Sequence, residues 1–144
     1  IRYRQDTLRV YNLHLESFQL QRTDSLVDQN SSARFLRRLD GVYEKQLDQI
    51  LQWKQLENFN EYPSVICADM NNTAFSKAYK NLRGRHEDAF EAAGQGFGAT
   101  YSLGGIPYRI DFIFSPSRLK VLEYTTHEVD FSDHKPISAK LNWD

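Results

Sequence analysis

Val65-Ile66-Cys67-Ala68 is an unbroken apolar run, entered through Pro63-Ser64 and left through Asp69. A run that short is a strand, and with no polar position on either side it must be covered on both faces. The fold therefore needs a sheet with material above and below it. Residues 33–59 supply one covering layer: Leu36, Leu39, Tyr43, Leu47, Ile50 and Trp53 recur at spacings of three and four, with Arg37, Arg38, Glu44, Lys45 and Asp48 between them. That spacing predicts a long amphipathic helix packed on the sheet.

Other segments extend the sheet. Residues 7–15 alternate, with Tyr11, Leu13 and Leu15 on one face and Val10, Asn12 and His14 on the other. Arg109 to Phe114 alternates too, with Arg109, Asp111 and Ile113 opposite Ile110, Phe112 and Phe114. Residues 119–126 and 136–141 read as further strands. Ser76 can cap a short helix through Leu82, and Asp88 to Ala93 can form another that Gly94 stops. Residues 19–32 are polar and aperiodic and predict a long loop or a loosely helical excursion, and the glycine-rich stretch 94–105 predicts turns. Strands and helices mix without a βαβ rhythm, so the expected class is α+β with a mixed or mostly antiparallel sheet. At 144 residues, one domain is expected.

Charge and cysteine content narrow the function. Eighteen Lys and Arg against nineteen Asp and Glu leave a formal charge of -1, which supplies no global field for a long polyanion. The basic cluster Arg34, Arg37 and Arg38 fits a solvated helix face. Cys67 is the one cysteine, which excludes an intrachain disulfide framework and a cysteine-rich zinc site. No apolar run approaches the roughly 20 residues that cross a bilayer. The start, Ile1-Arg2-Tyr3-Arg4, is neither Met-initiated nor a signal peptide, so the chain is expected to come from something longer.

Four segments place acids, amides or imidazoles at strand ends, where sites form over a sheet. They are Asn12 with His14, Asp69 with Asn71, Arg109 with Asp111, and Asp133 with His134. Singly, each has an ordinary explanation: an Asx turn for Asp69-Met70-Asn71, a hydrogen-bonded surface histidine for His14, a turn before Pro136 for Ser132-Asp133-His134. Asp111 is harder to dismiss, because a carboxylate in an apolar strand costs several kcal/mol unless it is paired, with Arg109 for instance, or bound to metal.

As an ordered set, Asn-Leu-His-Leu (12–15), Ala-Asp-Met-Asn-Asn-Thr (68–73), Tyr-Arg-Ile-Asp-Phe-Ile-Phe (108–114) and Ser-Asp-His-Lys-Pro-Ile (132–137) resemble the endonuclease/exonuclease/phosphatase superfamily over nearly the whole chain. The usual Gly-Asp-Phe-Asn stands here as Ala68-Asp69-Met70-Asn71, which keeps both functional side chains. The nearer likeness, through 11–17 and 94–114, is to a bacterial branch that often carries hydrophobic N-terminal segments, so a membrane-anchored parent in a bacterium is one expectation. The resemblance implies a magnesium-dependent phosphoesterase, with manganese able to substitute, acting on a phosphate ester such as a nucleic acid. By the same resemblance Asp69 positions the nucleophilic water, Asn71 orients the phosphate, and Asp69 and Asp133 lie at the metal. His134, oriented by Asp111, is the base or charge stabiliser, and His14 donates to a phosphate oxygen with Asn12 supporting it. Arg109 either contacts phosphate or locks Asp111.

The chemistry agrees, since magnesium takes oxygen ligands from one or two carboxylates and waters, and a cluster of Asp and Asn suits it better than zinc. The superfamily fold is a four-layer α/β sandwich of two similar halves, and the N-terminal half supplies an Asn and the main metal-binding Glu. Neither is assignable here, since Asp6 and Glu16 stand in the wrong context, so residues 1–144 are expected to be the C-terminal part, with the N-terminal half absent. A phosphomonoesterase acting on a lipid or sugar phosphate, or a non-catalytic binding module of the same fold, are the competing readings. With Leu13, Ile66, Phe112 and Phe114 expected on the face that meets the second sheet, the chain is expected to stay with the N-terminal half or to self-associate through that face.

Overall fold

A computed structural model describes residues 1–3, 6–18, 29–56 and 61–143. The chain opens on a two-stranded ribbon, β1 (Arg2–Tyr3) and β2 (Asp6–Thr7), and continues into β3 (Arg9–His14). Helix α1 (Gln29–Lys54) leads to β4 (Ser64–Asp69), α2 (Lys77–Arg83), β5 (Glu87–Asp88) and α3 (Ala89–Ala93). A hairpin of β6 (Tyr101–Leu103) and β7 (Ile106–Tyr108) precedes β8 (Asp111–Ser115), and β9 (Leu119–Thr126) and β10 (Ile137–Trp143) close the chain. The class is α+β, as the pattern predicts.

The central sheet has the order β3-β4-β8-β5. Strands β3 and β4 are parallel and joined through α1, whereas β4 and β8, and β8 and β5, are antiparallel. The apolar run 65–68 sits in β4, the inner position its composition demands. Below the sheet, α1 and α2 cover Ile66, Phe112 and Phe114 with Ile50, Trp53, Tyr79 and Leu82. Tyr11 meets Trp53 edge-on at 5.1 Å. Above it, Val65, Cys67 and Ile113 meet α3 and the inward residues of the β9–β10 hairpin, among them Leu119, Val121, Ile137 and Leu141.

Two expectations change. The alternation in β3 and β8 is as read, but Ile66, Phe112 and Phe114 face the helices and are fully buried, and Leu13 packs half-buried beside them. The face left partly open is the opposite one, where Val10, Asn12 and His14 are exposed on β3. Stretch 94–105 is more than turns, because Tyr101 to Leu103 pairs with Ile106 to Tyr108 across Gly104-Gly105, both at positive φ (59° and 86°). Of the predicted loop or helical excursion 19–32, residues 19–28 lie outside the described residues, and Gln29 to Ser32 are the first helical residues of α1. The side chain of Leu36 and residues 57–60, at the end of the predicted helix, also lie outside the described residues.

The local signals behave as their chemistry requires. The Ser76 side chain accepts from the Tyr79 amide and Gly84 ends α2 at φ 54°. Asp88 caps α3 by accepting from the Phe90 amide at 2.9 Å, and its other oxygen accepts from the Tyr79 hydroxyl and the Arg109 guanidinium, both at 2.7 Å. Burial, then the bond to Asp88, pushes the Tyr79 phenol well above its usual range. Arg109 also lies over the rings of Phe90 and Phe112, at 4.6 and 4.7 Å. Phe90 is in turn clasped by glycine: a Cβ at Gly94 or at Gly98 would collide with its ring, and Gly98 is at φ +60° besides.

Asp88→Ala should destabilise the fold by about 3–5 kcal/mol, because it leaves the nearly buried Arg109 charge without its partner; the denaturant midpoint measures the loss. A second expectation concerns His86, which joins the end of α2 to the start of β4 through Arg83 O (3.1 Å) and Ser64 O (3.0 Å). Burial lowers its pKa below the ordinary 6.5, outweighing the two carbonyls that favour the charged ring. Stability should be full above the unfolded-state pKa of about 6.5 and fall as pH drops through the lowered folded value, where the unfolded chain alone takes up the proton. Unfolding curves from pH 8 to 5 for the wild-type chain and for His86→Gln should differ in that acid limb.

Candidate active site

Strand register builds the site. His14 pairs with Asp69 across β3 and β4, and Asp69 pairs with Asp111 across β4 and β8. Register partners point to the same face, so three chemistry-bearing side chains form a row across adjacent strands at the edge of the sheet. His14 Nε2 lies 3.6 Å from Asp69 Oδ2. His134 closes the group from the β9–β10 connection: its Nδ1 is 2.9 Å from Asp111 Oδ2 and 4.0 Å from Asp69 Oδ2. An Nδ1–H donated to Asp111 leaves the Nε2 lone pair available as a base.

The acids are held as carefully as the histidines. Thr100, fully buried, accepts at Oγ1 from the amides of Ile110 (3.1 Å) and Asp111 (3.2 Å). Burial raises the Asp111 pKa, and the neighbouring Asp69 charge adds to the rise, while Thr100 and His134 oppose it. Asp69 Oδ1 accepts from the Asn71 amide at 2.9 Å, the Asx turn that the tripeptide allows. That turn puts Asn71 at φ 48°, a left-handed conformation that asparagine tolerates. The Asn71 side-chain amide donates to Leu15 O at 3.0 Å, tying the loop after β4 to the loop after β3.

Both loops hang on Gln46 of α1, which is fully buried. Its Nε2 donates to Glu16 O (2.7 Å) and Met70 O (3.0 Å), and its Oε1 accepts from Asn72 Nδ2 (2.9 Å). Gln46 stands three residues after Tyr43 and four before Ile50, inside the apolar stripe of the helix. A polar residue at that phase is the signal that marks it, and the periodicity reading passed over it. Thr100 carried no signal in a stretch read as turns.

The remaining predicted residues take separate places. Asn12 lies one row behind His14 on the same face, opposite Cys67. With His14, Asp69, Asp111 and Ile137 it lines an opening of about 340 Å³. Asp133 is exposed and lines a second opening of about 430 Å³, with Asn71 and His134. Arg109 stands outside both, its guanidinium committed to Asp88 rather than to Asp111. Among the described residues, the group with donor atoms close enough to hold one cation is Asp69, Asp111 and His134, all within 4.8 Å, and Asp133 is not part of it. The carboxylate oxygens of Asp69 and Asp111 in this group fit a hard cation of the magnesium type.

Gln46→Leu should cost about 1–3 kcal/mol, because it strands the carbonyls of Glu16 and Met70 and the amide of Asn72. The loop resonances of 15–17 and 70–73 should shift in an amide NMR spectrum while those of the β9–β10 hairpin stay in place.

No protein-family model matches the sequence, and no curated protein matches it. Solved structures do. A mannosyl-6-phosphatase from Bacteroides thetaiotaomicron aligns over 93% of this chain and 51% of its own, with TM-score 0.58 and 18% identity. An endonuclease/exonuclease/phosphatase from Bacteroides vulgatus aligns over 71% and 44%, with TM-score 0.53 and 27% identity. The human nocturnin catalytic domain, solved with a bound sulfate anion, aligns over 92% and 46%, with TM-score 0.56 and 15% identity. This chain thus has the fold of endonuclease/exonuclease/phosphatase proteins and spans about half the length of the solved chains that it matches.

Proposed function

We propose that this chain forms part of a metal-dependent phosphoester hydrolase that cleaves phosphodiester bonds in the manner of a nuclease. The observation that carries this reading is the row His14, Asp69 and Asp111 with His134 bonded to Asp111 at 2.9 Å. Hydrolysis of a phosphate ester needs an oriented water, a proton acceptor and positive or hydrogen-bonding groups around the charge that develops on phosphorus-bound oxygens. Asp69, fixed through one oxygen by the Asn71 amide, orients the water. His134, held in one tautomer by Asp111, takes its proton or stabilises the charge. His14, exposed beside Asp69, donates to a non-bridging oxygen, and Asn71 keeps a second amide hydrogen for the same purpose. Water oxygen bonds to phosphorus as the ester P–O bond breaks, the water's proton passes to His134, and the departing alkoxide takes a proton from solvent water.

Asp69, with Asp111 beside it, would hold magnesium or manganese, which would supply charge neutralisation at the phosphate. The rest of the site, including the main carboxylate ligand, belongs in this reading to a preceding half-domain. The exposed β3 face with Val10, Asn12 and His14 is where that half, or a second copy of this chain, packs. Among the described residues no helix is long and apolar enough to cross a membrane. One observation favours a second reading, a monoesterase acting on a sugar phosphate: the 430 Å³ opening beside His134 is concave, a shape suited to a small molecule.

In the full-length protein, His134→Ala and Asp69→Asn should each lower turnover by about 10²–10⁴-fold, the range typical of lost acid–base catalysis. Their melting temperatures should stay within a few degrees of wild type. Assays on bis-p-nitrophenyl phosphate and p-nitrophenyl phosphate check both this and the preference for diester over monoester; near-normal rates in both variants would overturn the assignment.

A further inference from the structure

The 430 Å³ opening mixes two kinds of lining: polar residues, among them Asn71, Thr73, Asp133 and His134, and apolar and aromatic ones. Helix α1 contributes Leu39 and Tyr43, the β6–β7 hairpin contributes Tyr101 and Tyr108, and Ile110 follows from the start of β8. Among the described residues no lysine or arginine lines it. A cleft that tracks a polyanion is lined by cations, and the described lining holds none. Tyrosine faces that end in hydroxyls recognise flat, uncharged rings with polar edges.

The walls are pre-positioned. The ring of Tyr101 packs on the His134 imidazole with centroids 4.9 Å apart, and Tyr101 forms a backbone bridge with His134. The carbonyl of Thr100 accepts from the Lys135 amide at 2.7 Å, which fixes the same hairpin to the loop that carries His134. On the other wall the Tyr43 ring meets Phe18 edge-on at 5.1 Å, while Tyr43 remains 40% exposed. The rigid parts of the cleft are thus coupled to the imidazole, and its outer wall is a tyrosine with surface to spare.

We propose that this cleft seats an uncharged ring in the alcohol part of the substrate, a nucleobase or a pyranose, against Tyr43 and the hairpin tyrosines, so that the phosphate meets His134. This deepens the phosphoesterase reading and rests on it for the word substrate. The seat itself needs neither metal nor phosphate, which makes it testable alone.

The test is a titration of the 144-residue chain with adenosine and with methyl glucoside, followed by NMR of labelled tyrosine rings. Saturable shifts at Tyr43, Tyr101 and Tyr108, with intermolecular NOEs from the probe to those rings, are expected. Adenosine alone saturating them identifies a nucleobase seat, and methyl glucoside alone a pyranose seat. Tyr43→Ala should weaken the binding about tenfold, and Tyr43→Phe should retain most of it, in keeping with the contribution of one stacked aromatic. The NOEs are read on the unmutated chain, so a variant that folds poorly does not remove the test. Absence of saturable shifts from both probes, or binding indifferent to Tyr43→Ala, would overturn the proposal. That failure would leave the phosphoesterase reading standing, whereas turnover indifferent to His134→Ala would sink that reading and leave the seat.

Discussion

A single buried carboxamide ties the site to the scaffold. Gln46 has no access to solvent, and its amide must find its hydrogen bonds inside the protein. The partners within reach are the backbone of Glu16 and Met70 and the side chain of Asn72. Those groups belong to the two loops that leave the parallel strands β3 and β4 just beyond His14 and Asp69. Satisfying one helix residue therefore fixes the spacing of two strand ends, and the Asn71 bond to Leu15 O repeats the constraint from the other side. Networks of this kind specify one arrangement because partial satisfaction is worse than none.

From that spacing the electrostatics follow. Register places Asp69 directly opposite Asp111, and two carboxylates side by side over a largely buried floor repel each other unless a cation, a proton or a charged imidazole intervenes. Burial raises the Asp111 pKa, and the Asp69 charge adds to that rise. His134 relieves part of it by hydrogen bonding, and a divalent cation is the other means of relief available to oxygen ligands. The potential is local: the chain as a whole is close to neutral, with formal charge -1.

Much of this was legible in the sequence, and what was not has physical reasons. Period-two alternation identified β3 and β8 and sorted their faces, since side-chain direction in a strand is a geometric necessity. It did not say which face the helices would cover, because Ile66 and Val65 are equally apolar; the choice depends on where α1 lands, a tertiary fact. The motifs at 12–15, 68–73 and 132–137 drew attention to side chains that do converge, since they sit at strand ends that parallel and antiparallel pairing bring to one edge. Arg109 was ambiguous because its partner, Asp88, lies 21 residues earlier on a two-residue strand that no periodicity could announce. The Tyr101–Tyr108 hairpin was hidden by glycines that read as irregular chain and serve as its turn.

The parallel pairing of β3 with β4 has a kinetic side. A parallel pair cannot close through a tight turn, so its two strands meet only after the intervening crossover, α1 included, has been brought back across the sheet. The Asn71 to Leu15 bond spans 56 positions of the chain. Contacts of that sequence separation form late in folding, after helices and local hairpins, because the entropy of closing the loop is lost before the contact returns anything. The Asp111–His134 pair, on the shorter C-terminal segment, can assemble with the β9–β10 hairpin earlier. His14 and Asp69 would then join a half-built site in a single closing event, so a nascent chain has no opportunity to present the acids and both histidines together until the sheet itself is complete.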